Sequence, residues 1–195
     1  MTETEWLQAS EPLSMLEHLK GSASERKLRL FGALGLWEYV RFRPDLRNGI
    51  CPRWANITEQ YADGEVGFED WNGVRTSVHG TFHDVDPHQQ AMKGVDWALA
   101  CCDHEPSESL LLAEFLRDLF GNPFRPVPLD PSWLTSDVVA IARGIYQDRE
   151  FQRMPMLADA LQDAGCCEHD LLEHCRQPIQ HVRGCWVVDL VTKRE

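Results

Sequence analysis

Apolar residues recur three and four positions apart along most of the chain, in runs that open on Ser, Asp or Pro and close on Gly or Pro. That period puts them on one face of an α-helix, whereas a half-buried strand would alternate every second residue. A chain patterned this way folds into packed helices. Ser10 and Pro12 suit an N-cap and first turn ahead of Leu13, Leu16 and Leu19, and Gly21 suits the end. Ser24 opens a longer run through Leu30, Phe31, Leu34, Leu36, Trp37 and Val40, which Pro44 stops. Trp54, Ile57 and Tyr61 share a face of a third helix that Asp63-Gly64 closes.

Residues 64–86 break the pattern. Gly64, Gly67, Gly73 and Gly80 stand there among polar residues, so turns and short helical pieces compete and a hairpin stays open. Asp86-Pro87 then reads as the start of a helix through Met92, Val95, Trp97, Leu99 and Cys102, in spite of Gly94. Ser107 caps a helix with Leu111, Leu112, Phe115, Leu116 and Leu119 inward, and Gly121 terminates it.

Pro123, Pro126, Pro128 and Pro131 fix φ and remove backbone donors, which forbids helix or central strand and marks the best internal boundary. Helices resume from Thr135 or Ser136 through Ile145, from near Pro155 to Gly165, around Leu171 and Leu172, and finally through Val182, Trp186 and Leu190. The expected fold is all-α. It is a compact multi-helix array with a helical half at 1–121 carrying an irregular segment at 64–86, a proline-rich connector at 122–134 and a helical half at 135–195.

With 19 Lys+Arg against 31 Asp+Glu, the net charge of −12 repels phosphate backbones and anionic lipid headgroups, so nucleic acid and membrane are not expected partners. No apolar run approaches the roughly 18–20 residues that cross a bilayer. The acidic opening Met1-Thr2-Glu3-Thr4-Glu5 lacks the basic and apolar stretches of a secretory signal, and the expected location is the cytoplasm. In that compartment the seven cysteines are read as reduced thiols, serving core packing or a metal.

Two clusters bear chemistry. Cys166, His174, Cys175, His181 and Cys185 lie close together near the C-terminus, and zinc requires four such ligands converging as a tetrahedron. His181 and Cys185, four apart, would share one side of the last helix. There is no paired C-x-x-C knuckle, however, and small buried thiols are common core residues. The second cluster, His79, His83, Asp84, Asp86 and His88, offers imidazole and carboxylate ligands for a hydrolytic metal, although Asp86 already has work as an N-cap. Cys101-Cys102-Asp103-His104 places a thiol and a base side by side, but neighbours one or two apart on a helix do not face each other. No nucleophile elbow and no phosphate-cradling glycine loop occurs.

Several longer words are distinctive: Ser24-Glu25-Arg26-Lys27-Leu28-Arg29-Leu30-Phe31, Leu119-Phe120-Gly121-Asn122-Pro123-Phe124-Arg125-Pro126, and His181-Val182-Arg183-Gly184-Cys185-Trp186-Val187-Val188-Asp189-Leu190. In this order they resemble an uncharacterised family of helical proteins from planctomycete bacteria, over roughly residues 1–31 and 110–191. The resemblance implies a helical fold and no particular activity.

The leading expectation is a non-catalytic module that binds another protein, with its tryptophans as interface anchors and Trp71 nearest the surface. No cofactor is required by that reading. The competing expectations are a metal-dependent hydrolase built on His79, His83, Asp84 and His88, and a zinc-stabilised structural module.

Overall fold

A computed structural model describes residues 1–77, 86–101 and 106–194. Among these residues there are eleven α-helices and no strand, so the protein is all-α. No described helix is long and apolar enough to cross a membrane. The chain divides into two compact units, Met1–Leu116 and Arg117–Glu195.

The first unit begins with α1 (Glu3–Gln8) and α2 (Pro12–Leu19), which bury Trp6, Met15, Leu16 and Leu19. Its longest element is α3 (Glu25–Phe42), where the Ser24 hydroxyl accepts from the Lys27 amide and Pro44 prevents continuation. Then come α4 (Ile50–Ala62), α5 (Phe68–Ser77), α6 (Pro87–Cys101) and α7 (Pro106–Phe120). Asp86 caps α6 as its sequence suggests, accepting from the Gln89 amide at 2.8 Å. The last turn of α7 belongs to the second unit.

Helix α3 packs chiefly on α6 and α4. A methyl group on Gly35 would lie 2.6 Å from Gly94 Cα, and one on Gly94 would lie 3.0 Å from the Gly32 carbonyl. Gly94, a penalty for α6 taken alone, is therefore what lets two helix backbones meet.

The middle of the chain resolves one open choice and corrects one expectation, that of Trp71 nearest the surface. Of the turns and short helical pieces that compete in 64–86, Phe68–Ser77 is a helical piece, because Glu69 and Asp70 suit a first turn and Trp71 and Val74, three apart, bury one face. Trp71 itself is 0% exposed. Its indole stacks on Tyr61 at 4.9 Å, lies 5.5 Å from Trp54, and donates to the Thr58 hydroxyl at 3.3 Å. The Arg29 guanidinium sits 5.0 Å from its ring, a cation–π contact away from water. Among the described tryptophan side chains Trp6, Trp54, Trp71 and Trp133 are buried and Trp37 and Trp186 are half-buried, so burial of apolar area is the main use of the first four.

The second unit contains the last turn of α7, the proline segment, a 3₁₀ turn at Pro131–Trp133, and α8 (Ser136–Asp148), α9 (Met154–Asp163), α10 (His169–Arg176) and α11 (Trp186–Thr192). Thr135 caps α8 by accepting from the Val138 amide at 3.3 Å. Ile145, Met154, Leu157, Leu161, Leu171 and Val187 form its core with Cys166, Cys175 and Cys185, and Val127 and Leu129 of the proline segment pack against it. The segment thus lies across its own unit. A further difference concerns the C-terminus: the helix expected from Val182 begins only at Trp186, because Gly184 at φ 93° makes a turn and Cys185 is the N-cap.

Candidate metal centre

Three segments of the second unit bring one side chain or more to a common point. Asp118 comes from the last turn of α7, His174 from α10, and His181 and Cys185 from the turn that opens α11. One donor atom from each of the four lies within 4.8 Å of every other. Asp118 and Cys185 are wholly buried, His181 is nearly so, and His174 is largely covered.

Asp118 sits on the buried stripe of α7, three residues after Phe115 and one before Leu119. Its Oδ1 is 2.6 Å from His181 Nδ1 and 3.0 Å from His174 Nε2, and its Oδ2 accepts from the Val182 amide at 2.8 Å. Burial raises the carboxyl's pKa, and the hydrogen bonds from His174 and His181 more than reverse this, leaving it below the ordinary value. A carboxylate only accepts, so both imidazole nitrogens donate to it. Cys185 Sγ lies 3.3 Å from His174 Nε2 and 3.9 Å from His181 Nδ1. Burial holds the Cys185 thiol well above its usual range, with the charge of Asp118 adding to the effect. The two imidazoles meet edge to face at 4.9 Å, and the Trp186 indole lies 5.2 Å from His174.

The geometry separates two chemistries that use the same residue types. In a Cys-His-Asp hydrolase the imidazole links acid and nucleophile through opposite nitrogens. Here each imidazole turns a single nitrogen toward both Asp118 and Cys185, so there is no relay, and a protonated, fully buried thiol is no nucleophile. Four donors aimed at one point are the arrangement of metal ligands. A zinc tetrahedron with bonds of about 2.0 Å to nitrogen or oxygen and 2.3 Å to sulfur has edges of about 3.3–3.8 Å. Four of the six donor separations are 2.6, 3.0, 3.3 and 3.9 Å and all six lie within 4.8 Å, so the two short carboxylate contacts, which are hydrogen bonds, would have to lengthen to admit an ion. One oxygen, two nitrogens and one sulfur form a borderline donor set that suits zinc. His181 Nε2 is buried with no hydrogen-bond partner, a cost of about 1–3 kcal/mol that bonding within the cluster does not remove.

Of the five C-terminal residues suggested by the sequence, His174, His181 and Cys185 converge, but the last two do so across a turn rather than along one helix. Cys166 and Cys175 lie in the apolar core and outside the converging group. Cys175 follows His174 directly, about 100° further round α10, and cannot face the same point. Its thiol is pushed up to about 12, by burial first and then by Asp118. Asp118 is the member of the converging group that sequence reasoning missed. It stands more than fifty residues before His174, and its one signal is a charge on the apolar stripe of an amphipathic helix.

The other cluster fares differently. His79, His83 and Asp84 fall outside the described residues, as do Cys102, Asp103 and His104. His88 is buried in the first unit with Nε2 3.0 Å from the Leu16 carbonyl, to which that nitrogen donates. Comparison with protein-family models, with curated proteins and with solved structures gives no match.

Proposed function

We propose that the protein is a non-catalytic recognition module whose second unit is organised around a zinc ion held by Asp118, His174, His181 and Cys185. The observation that carries the metal reading is the convergence of one nitrogen from each imidazole on the same carboxylate oxygen and the same thiol. Four protein ligands in a largely dry site leave no open position for water or substrate, which is the pattern of a structural rather than a catalytic zinc. The ion would tie the end of α7 to α10 and to the start of α11, three short segments with little helical stability of their own. To hold the ion, Cys185 would give up its proton and each imidazole would carry its proton on the nitrogen that faces away from Asp118, which frees the carboxylate and both facing nitrogens as donors.

Elemental analysis of protein purified without chelator tests this. One zinc per chain is expected, lost in both His181→Ala and Cys185→Ser, and replacement by cobalt should give a thiolate-to-metal absorption that Cys185→Ser abolishes. Metal-free protein whose thermal midpoint does not move on adding zinc would instead make the four side chains an ordinary hydrogen-bonded core.

A further inference from the structure

An open groove of about 540 Å³ runs over the outer face of α8 and α9. Ile141, Met156, Ala160 and Ala164 supply its apolar lining. Met156 and Ala160, four apart, share one stripe of α9 that its C-cap residue Ala164 continues, and Ile141, Ala160 and Ala164 are half-buried against the unit's core. Met156 is 52% exposed, a large flexible apolar side chain left in water.

The edges of the groove are acidic: Asp137, Asp159 and Asp163 line it. Asp159 is held by Arg176 at 3.0 Å, whereas among the described residues no cation pairs with Asp137 or Asp163. Asp137 lies in the first turn of α8, where the helix dipole favours it. Asp163 is the last residue of α9, where the helix dipole disfavours a carboxylate and a cation on a partner would offset it.

We propose that this groove docks a basic amphipathic helix of another protein, with the partner's apolar face on Met156, Ile141 and Ala160 and its lysines or arginines against Asp137 and Asp163. The small side chains of Ala160 and Ala164 let a third helix approach closely, and a groove between two helices accepts one by ridge-into-groove packing. A second copy of this chain is the wrong occupant, since a net charge of −12 sets like charges against each other. The inference rests on the recognition half of the function proposed above and not on the metal.

The probe is a fluorescein-labelled synthetic helix with leucines three and four apart and lysines on both flanks, titrated into the full zinc-treated chain by fluorescence anisotropy. A scrambled peptide of identical composition controls for charge alone. The designed helix is expected to bind at least about tenfold more tightly than the scrambled one. Met156→Glu, and separately Asp137→Lys with Asp163→Lys, should each weaken it at least about tenfold while helical content and bound metal stay unchanged. Equal binding of the scrambled peptide, or unaltered binding by both variants, overturns the proposal. So does a concentration-dependent dimer that Met156→Glu disperses, which would assign the face to a second copy. Bound zinc measured on the same samples keeps the two readings apart: a zinc-loaded chain that ignores the helix sinks this inference alone.

Discussion

At Asp118, a single side chain unites the second unit's polar interior. It accepts from His174, His181 and the Val182 amide with no exposure to water, so its removal leaves two imidazoles and an amide without their acceptor. Asp118→Ala is expected to abolish metal binding and to lower unfolding stability by about 3–5 kcal/mol, read from urea denaturation. Asp118→Asn keeps the shape and loses the charge; it should fold better than the alanine variant and still bind metal much more weakly than the parent. An alanine variant that retains zinc at full occupancy would remove Asp118 from the ligand set. Gly121 behaves in the same local way. Its φ is 63° and a methyl group there would sit 3.2 Å from the Trp186 ring, which packs on His174, so Gly121→Ala strains the backbone and presses on the site together.

Helices of this protein meet through glycine as well as through bulk. Gly35 faces the Gly94 backbone where α3 meets α6, and any added carbon must push the two helices apart. Gly35→Ala should cost about 1–3 kcal/mol. Gly73, inside α5, has nothing within 4 Å of where its methyl would lie. There the same change should stabilise by about 0.5–1 kcal/mol, because alanine restricts the unfolded chain and favours helix. Thermal midpoints of the two variants moving in the same direction would contradict the packing described for α3 and α6.

For the whole molecule, acidity acts through a buried pair in the first unit. Glu38 on α3 and Glu108 on α7 are both nearly covered, and Arg41, 2.8 Å from Glu38 Oε2 but not aligned for a hydrogen bond, is their shared cation. Burial raises the pKa of each, and Glu108 raises that of Glu38 further, against the lowering effect of Arg41. A carboxyl whose folded-state pKa lies above its unfolded value contributes stability at low pH and loses it as pH rises through the folded value. Glu38→Gln should therefore stabilise the protein at neutral pH by roughly 1–2 kcal/mol, the gain shrinking toward about pH 4.5. A gain that grows on acidification would reverse this assignment. On the proposed zinc reading, chelation should speed hydrogen exchange in α10, α11 and the last turn of α7, and leave α3 and α6 as they were.

Helix positions were legible because caps and apolar period are local. Ser24, Asp86 and Thr135 sit where their backbone amides need acceptors, and Pro44 and the prolines after Gly121 stop helices by covalent geometry alone. Helix α5 was obscured because Gly67 before it and Gly73 inside it mimic a turn-rich stretch, and contact with α4 and with Arg29 of α3 makes its aromatic face worth burying. The converging cysteine and histidines could be shortlisted from their types and nearness, yet the selection among them was made by direction. Which way a side chain points depends on the turn at Gly184 and on the meeting of segments far apart in the chain. Sequence by itself determined the helices, through interactions of neighbours; tertiary packing alone decided that Asp118 joins His174, His181 and Cys185, because convergence in space is not written in spacing along a chain.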